Sequence, residues 1–232
     1  MKTFAKIKFY YAAAVIFSAV SFLIFFFKLM PKPFGVKFSS NLIRRALRYK
    51  IKTFGTEDMD AQMFVVNHQS GIDIPVMESS TKSDLAWVAK QELFDTPFLG
   101  LGVKLPNDIP LQRNSKTALV SLIKECKDRI SNGRVVTIFP EGTRSRNRRI
   151  HNFKPGAQMV ANKLALKVQP VVIVGTSNTF DSKDKHFIPF QQIDVVFLDS
   201  FVANKEDKDW LNDLQIKMQE VYDEHAHVLG HR

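Results

Sequence analysis

Apolar residues fall in two rhythms along the chain. Up to about residue 52 they recur at helical spacing, and beyond residue 53 short unbroken apolar runs alternate with helical patterns. The runs MFVVN (63–67), VVTIF (135–139), VVIVG (171–175) and DVVFLDS (194–200) are short and rich in β-branched residues, which predicts buried strands; LAWVAK (85–90) is a weaker fifth. Between them, Leu119, Leu122, Ile123, Cys126 and Ile130 share one face of a helix from Ser115 to Ile130, stopped by Asn132-Gly133. The stretch PGAQMVANKLAL (155–166) predicts a second helix with Pro155 near its start. Residues 207–226 predict a third, with Asp207 or Asp209 as cap and Leu211, Leu214, Met218 and Val221 turned inward. Alternating strands and helices imply an α/β domain with a mostly parallel sheet flanked by helices.

The first fifty residues follow another logic. From Phe9 to Phe27 the chain reads FYYAAAVIFSAVSFLIFFF, uncharged between Lys8 and Lys28. A helix of that length rises about 28 Å, close to the roughly 30 Å hydrocarbon core of a bilayer. The run ends in Phe-Phe-Phe-Lys and not in a small-residue cleavage site, so it reads as a hydrophobic membrane-anchoring helix in preference to a cleaved leader. After MPKPFG, the residues Val36, Phe38, Leu42, Ile43, Leu47 and Ile51 recur at near-helical spacing among Lys37, Arg44, Arg45, Arg48, Lys50 and Lys52. This is an amphipathic second helix, lying on a membrane or packed on the domain with a solvated basic face. If the first helix spans, the excess of cations after it puts the main domain on the cytoplasmic face of the membrane. Alternatively, the two helices turn at Pro31-Pro33 and sit in one leaflet. Either way the chain divides into anchoring helices (1–52) and an α/β domain (53–232).

Composition narrows the function. Hydrophobic content of 45% with 24% charge describes a folded domain, and the single Cys126 excludes an internal disulfide. The net charge of +10 calls for an anionic partner: nucleic acid, an anionic membrane surface or a phosphorylated substrate. Nucleic acid is the weakest of these, because no recognised binding fold with interleaved aromatics is present.

Two polar motifs follow two of the predicted strands directly, where open parallel sheets gather their ligands. The first is NHQSGID (67–73). On a straight helix His68 and Asp73 would point about 140° apart. They meet only if the chain turns at Ser70-Gly71 before the helix starts, with Pro75 in its first turn. Asp73 would then hold one imidazole nitrogen while the other faces a substrate as general base. Taken alone, the spacing favours a loop cap at His68 and a helix cap at Asp73, because helix-capping aspartates are common. No G-x-S-x-G elbow accompanies the pair and Cys126 lies on an apolar helix face, so the nucleophile would be the substrate's own hydroxyl or a water. The second motif, FPEGTRSRNRR (139–149), sets Arg144 beside Gly142 and Thr143 at a strand end. Glycine admits an anion to the backbone and the guanidinium fork matches phosphate. Arg146, Arg148 and Arg149 read as a solvated basic loop. No metal-ligand spacing is found among the histidines, and no G-x4-G-K-[ST] phosphate loop is present.

Together, Asn67–Asp73 and the complete FPEGTRS block (139–145) resemble the glycerolipid acyltransferase family, in particular its 1-acyl-glycerol-3-phosphate (lysophosphatidate) acyltransferases. PFLGLGVKLPNDIPLQRNS (97–115), FKPGA (153–157) and VQPVVIV (168–174) extend the likeness over roughly residues 60–175. The chain departs from the family at Gln112, where an acidic residue usually precedes the block arginine, and at Pro110, where an aliphatic one is common. The resemblance implies that His68, oriented by Asp73, takes the proton of the sn-2 hydroxyl as it attacks an acyl thioester. It implies a phosphate site of Arg113, Glu141, Gly142, Thr143 and Arg144, with Lys154 a lesser member and Glu141 positioning an arginine or backbone. The co-substrate would be acyl-CoA or acyl-acyl carrier protein, with no bound cofactor or metal. The expected partners are lysophosphatidate, an anionic membrane surface and, for the second donor, acyl carrier protein.

Overall fold

The computed structural model describes residues 2–26, 34–97, 100–112, 117–145, 149–207 and 209–229. Two helices open the chain, α1 (Lys2–Phe26) and α2 (Phe34–Leu47). There follow β1 (Lys50–Phe54), β2 (Met63–Val66), α3 (Asp73–Ser80), β3 (Leu85–Lys90), α4 (Gln91–Asp95), α5 (Leu101–Lys104) and β4 (Ile109–Leu111). Next come α6 (Ala118–Ser131), β5 (Val135–Ile138), α7 (Gly156–Leu164), β6 (Lys167–Val174) and α8 (Thr176–Thr179). The chain closes with β7 (Phe180–Asp181), β8 (His186–Phe187), β9 (Gln192–Phe197), β10 (Phe201–Val202) and α9 (Trp210–Val228).

The main sheet has the order β1-β9-β6-β2-β5-β3-β4, and β10 pairs with β6. All pairs from β6 to β4 are parallel, as is β1 with β9; β9 and β10 run antiparallel to β6. The predicted α/β class is therefore observed. Strand β2 is buried at every position because both its faces are covered. Val65 packs in the core under α6, α7 and α9, and Phe64 and Val66 pack in the core toward α1, α2 and α3. Each such side chain contributes roughly 1.5–3 kcal/mol of apolar burial. Pro170, lacking an N–H, sits inside β6 without breaking the sheet. Along that edge it falls between the residues paired with β10 (Lys167, Val168) and those paired with β9 (from Val171). Burial pushes the Cys126 thiol up to about 12, as befits a core residue.

The second helix is shorter than its periodicity predicts. It ends at Leu47, Arg48 turns left-handed with φ 56°, and Lys50–Phe54 joins the sheet beside β9, so the expected boundary at residue 52 falls inside a strand. Ile51 thus belongs to β1: five consecutive residues find ladder partners from Gln192 to Val196, a stronger claim on the backbone than one more helical turn.

Helix α1 lies against the domain along one side. Phe9, Ala12 and Ala19 are buried, Phe9 stacks on Phe180 with centroids 5.3 Å apart, and Ser39 Oγ donates to the Ala19 carbonyl at 3.1 Å. Among the described residues no helix is long and apolar enough to cross a membrane. The expected turn at Pro31-Pro33 lies outside the described residues.

Helix α2 is tied to the fold through a buried acid. Lys37 Nζ donates to the Thr81 carbonyl at 2.8 Å and stands 3.9 Å from Glu78 Oε2, and Glu78 Oε1 accepts from Trp87 Nε1 at 2.8 Å. Burial pushes the Glu78 carboxyl up to about 7. An acid whose folded pKa is raised stabilises the fold fully below its unfolded pKa and loses that contribution as pH climbs through the folded value. Stability should therefore fall between about pH 4.5 and 7. Glu78→Gln, which keeps the acceptor for Trp87, should flatten this part of the curve by on the order of 2 kcal/mol in thermal unfolding followed from pH 5 to 8.

Candidate active site

Strands β2 and β5 are parallel neighbours in register, Met63 to Val65 opposite Val136 to Ile138, so the two polar motifs leave the sheet side by side. Asn67 continues the ladder with its side chain: the amide donates to the Ile173 carbonyl at 2.9 Å and accepts from the Ile173 N–H at 2.7 Å. The chain then turns through Ser70-Gly71, as expected, and Asp73 opens α3.

That turn brings His68 and Asp73 together, with Nδ1 2.7 Å from Oδ2. The same carboxylate oxygen accepts the N–H groups of Gln69 at 2.7 Å and Ser70 at 2.8 Å. Asp73 is fully buried, whereas His68 lines the cleft described below. With three donors converging on one carboxylate oxygen, the network assigns the proton of neutral His68 to Nδ1 and leaves the Nε2 lone pair for another partner. Phe139 stacks on the imidazole with centroids 4.0 Å apart and planes 12° apart; Trp87 stacks on Phe139 in turn at 5.0 Å. The ring is thus held by a hydrogen bond at its edge and an aromatic face on its flank.

Glu141 does not line the cleft, which corrects its place among the phosphate-site residues and agrees with its expected backbone role. It is 1% exposed, and its two oxygens accept the N–H groups of His68 and His151, each at 2.7 Å. Burial pushes its carboxyl up to about 7 against the pull of these bonds and one from Ser145. Ser145 closes the join by donating its N–H to the His68 carbonyl at 2.8 Å.

The cleft beside His68 has a volume of about 690 Å³. Gly142, Thr143, Arg144 and Lys154, the residues expected at a phosphate site, line it, and so does Lys90. Gly142 is left-handed with φ 66°, which lets this turn close after Phe139. Arg144 Nη1 donates to Ser182 Oγ at 3.0 Å. Apolar lining comes from Leu111, Leu119, Leu122, Ile138, Ala157 and Met159. Arg113, Arg146 and Arg148 lie outside the described residues, and Arg149 is exposed. Sequence reasoning passed over Lys90, although a cation at a strand's carboxyl end was a legible signal. It also missed the Trp87–Phe139 stack and Ser182, whose approach to the site depends on how β7 folds back.

On this mostly parallel sheet, a strand-end histidine–aspartate pair stands beside a cleft lined by cations and apolar side chains, an arrangement chemically able to move a proton next to an anionic, partly apolar ligand. The family model described as Acyltransferase matches residues 50–174, over half of the chain, and the chain belongs to that family; it is an O-acyltransferase. It is 35% identical over 181 residues to the 1-acyl-sn-glycerol-3-phosphate acyltransferase of Helicobacter pylori, covering 78% of this chain and 76% of that one. A chloroplastic 1-acyl-sn-glycerol-3-phosphate acyltransferase of Arabidopsis thaliana is 30% identical over 68% of this chain, which spans 46% of that relative's length. The crystal structure of the 1-acyl-sn-glycerophosphate acyltransferase PlsC from Thermotoga maritima has the same fold, with a TM-score of 0.74 at 23% identity over 96% of this chain and 95% of that one.

Glu141→Gln should destabilise the fold by about 2–4 kcal/mol, because one of two buried N–H donors then faces an amide NH₂. Denaturant titration checks this, and acyl transfer should fall with it as the two loops separate.

Proposed function

We propose that the chain transfers an acyl group from a thioester to the sn-2 hydroxyl of 1-acyl-glycerol-3-phosphate, yielding phosphatidate for phospholipid synthesis. The observation that carries this reading is the 2.7 Å His68–Asp73 bond on a cleft that also presents Arg144, Lys154 and Lys90. In it, Nε2 of His68 takes the hydroxyl proton as that oxygen attacks the thioester carbonyl. Asp73 stabilises the imidazolium, the C–S bond breaks, and the imidazolium returns the proton to the departing thiolate. Arg144, Lys154 and the backbone at Gly142-Thr143 hold the acceptor phosphate, joined by Arg113. The leucines of β4 and α6 receive an acyl chain. Acyl-CoA or acyl-acyl carrier protein serves as donor, and no bound cofactor or metal takes part.

Residues 1–52 dock this catalytic unit on an anionic membrane, on the cytoplasmic face. Support for a one-leaflet placement comes from the exposed side of the two helices. Ile7, Tyr10, Tyr11 and Phe17 of α1, and Phe34, Phe38 and Leu42 of α2, are exposed while the opposite side of α1 is buried on the domain.

His68→Ala should lower kcat by roughly 10²–10⁴-fold, the contribution of a general base, while lysophosphatidate still binds. Single-turnover acyl transfer with matched binding measurements checks this; near-wild-type turnover sinks the mechanism. Comparing coenzyme A and acyl carrier protein thioesters, and an acceptor panel including glycerol-3-phosphate, assigns donor and acceptor.

A further inference from the structure

The segment between β8 and β9 runs Ile188-Pro189-Phe190, and the fold leaves its apolar side chains uncovered. Ile188 is 43% exposed and Phe190 63%. Phe190 also holds φ at 64°, a left-handed conformation that bulky residues disfavour. Two contacts keep it there, both from Arg48 at the end of α2. The Phe190 N–H donates to the Arg48 carbonyl at 2.9 Å, and the Arg48 guanidinium carbon stands 5.5 Å from the ring centroid. Arg48 is exposed and itself left-handed, with φ 56°.

This pair adjoins the helices assigned above to the membrane. Two residues before Arg48, the Ala46 carbonyl accepts the Tyr11 hydroxyl at 3.4 Å, and Tyr10 and Tyr11 are both more than half exposed. An exposed strip therefore runs from α1 across the end of α2 to Phe190, with Arg45, Arg48 and Lys50 exposed along it. Isolated apolar residues on a surface need no explanation. Here an aromatic ring is held outward in a disfavoured conformation by a cation, on a strip that is itself aromatic and basic.

We propose that Arg48 and Phe190 form a third membrane contact, beside α1 and α2. The phenyl ring enters the boundary between headgroups and acyl chains of an anionic bilayer, and the guanidinium binds a lipid phosphate. The inference rests on the membrane docking assigned to residues 1–52. Its consequence reaches the site. The contact sits just beyond the β7–β8 pair, and on β7 the Phe180 carbonyl accepts Ser70 Oγ at 2.5 Å, close to where Arg144 meets Ser182. Seating this loop on lipid would orient the wall of the cleft that carries Gly71, next to Ser70, and Arg144 relative to the bilayer.

The test uses the full chain with Phe190→Trp, and wild type as background, since Trp87 and Trp210 are both buried. Vesicles are phosphatidylcholine alone or with phosphatidylglycerol, with and without brominated acyl chains. On anionic vesicles the variant should show a blue-shifted emission and bromine quenching beyond wild type. A second variant, Arg48→Gln with Phe190→Ser, should lower vesicle partitioning roughly tenfold, about the loss of one buried aromatic and one phosphate contact. Unchanged far-ultraviolet circular dichroism and melting establish that both variants are folded. Vesicle-bound protein with no emission change at position 190 overturns this inference and leaves the docking by residues 1–52 standing. Failure of wild type to co-sediment with anionic vesicles overturns both. An emission change with acyl carrier protein but not with vesicles assigns the pair to a protein contact and overturns the lipid assignment.

Discussion

The geometry of the site depends on one buried carboxylate that does not itself line the cleft. Glu141 accepts the backbone N–H of His68 from one loop and that of His151 from the far side of its own. Parallel strands β2 and β5 bring these loops within a strand spacing of each other, but a sheet specifies nothing beyond its last ladder bond. The carboxylate converts adjacency into a fixed relation between the His68 turn and the 139–145 turn, and Ser145 completes it from the other side. Desolvation opposes the arrangement, as the raised carboxyl shows, and the hydrogen bonds to backbone amides offset it.

From that join the histidine acquires its remaining constraints. Asp73 gathers Nδ1 and two loop amides on one oxygen, so the hydrogen bond that orients the ring also fixes the turn that made the bond possible. Phe139 then limits rotation of the imidazole about its side-chain bonds, because tilting would break the close stack. A ring held at both edge and face needs little reorganisation to accept a proton at Nε2.

Much of this was legible in the chain, and the limits have physical causes. The strand runs at 63–67 and 135–139 announced themselves because β2 and β5 are buried at every position and hence mostly apolar, whereas 85–90 was the weaker signal because only the first half of β3 is buried. Strand β1 did not: its lysines alternate with half-buried residues on an edge, and the same residues extend the helical pattern of α2. Spacing alone read His68 and Asp73 as two caps, and it took the companion motif at 139–145 to read them as a pair; Arg144 was read from its place after a strand. Glu141 was expected to position an arginine or backbone within its phosphate-like motif; only three-dimensional proximity shows that the backbone is that of His68 and His151. Lys90 reaches the cleft through β3 and Ser182 reaches Arg144 through the β7–β8 turn, and periodicity carries no information about which loops converge.

Two of the buried acids, Glu78 and Glu141, hold opposite ends of the same aromatic stack. Glu78 holds Trp87 by its indole N–H, Trp87 lies on Phe139, and Phe139 lies on the histidine whose backbone Glu141 holds. Both carboxyls are pushed up to about 7 by burial, so both approach half-ionisation in the same pH range. Lys37 of α2 stands by Glu78, which means that the charge balancing one end of the stack is supplied by a helix packed on the outside of the domain. Displacing α2 would withdraw that cation from a carboxylate that is already costly to ionise. The response would be a proton taken up by Glu78 with its bond to Trp87 retained, since a carboxylic acid can still accept from an indole N–H. The stack can thus survive changes at the outer helix that would disrupt a simple ion pair.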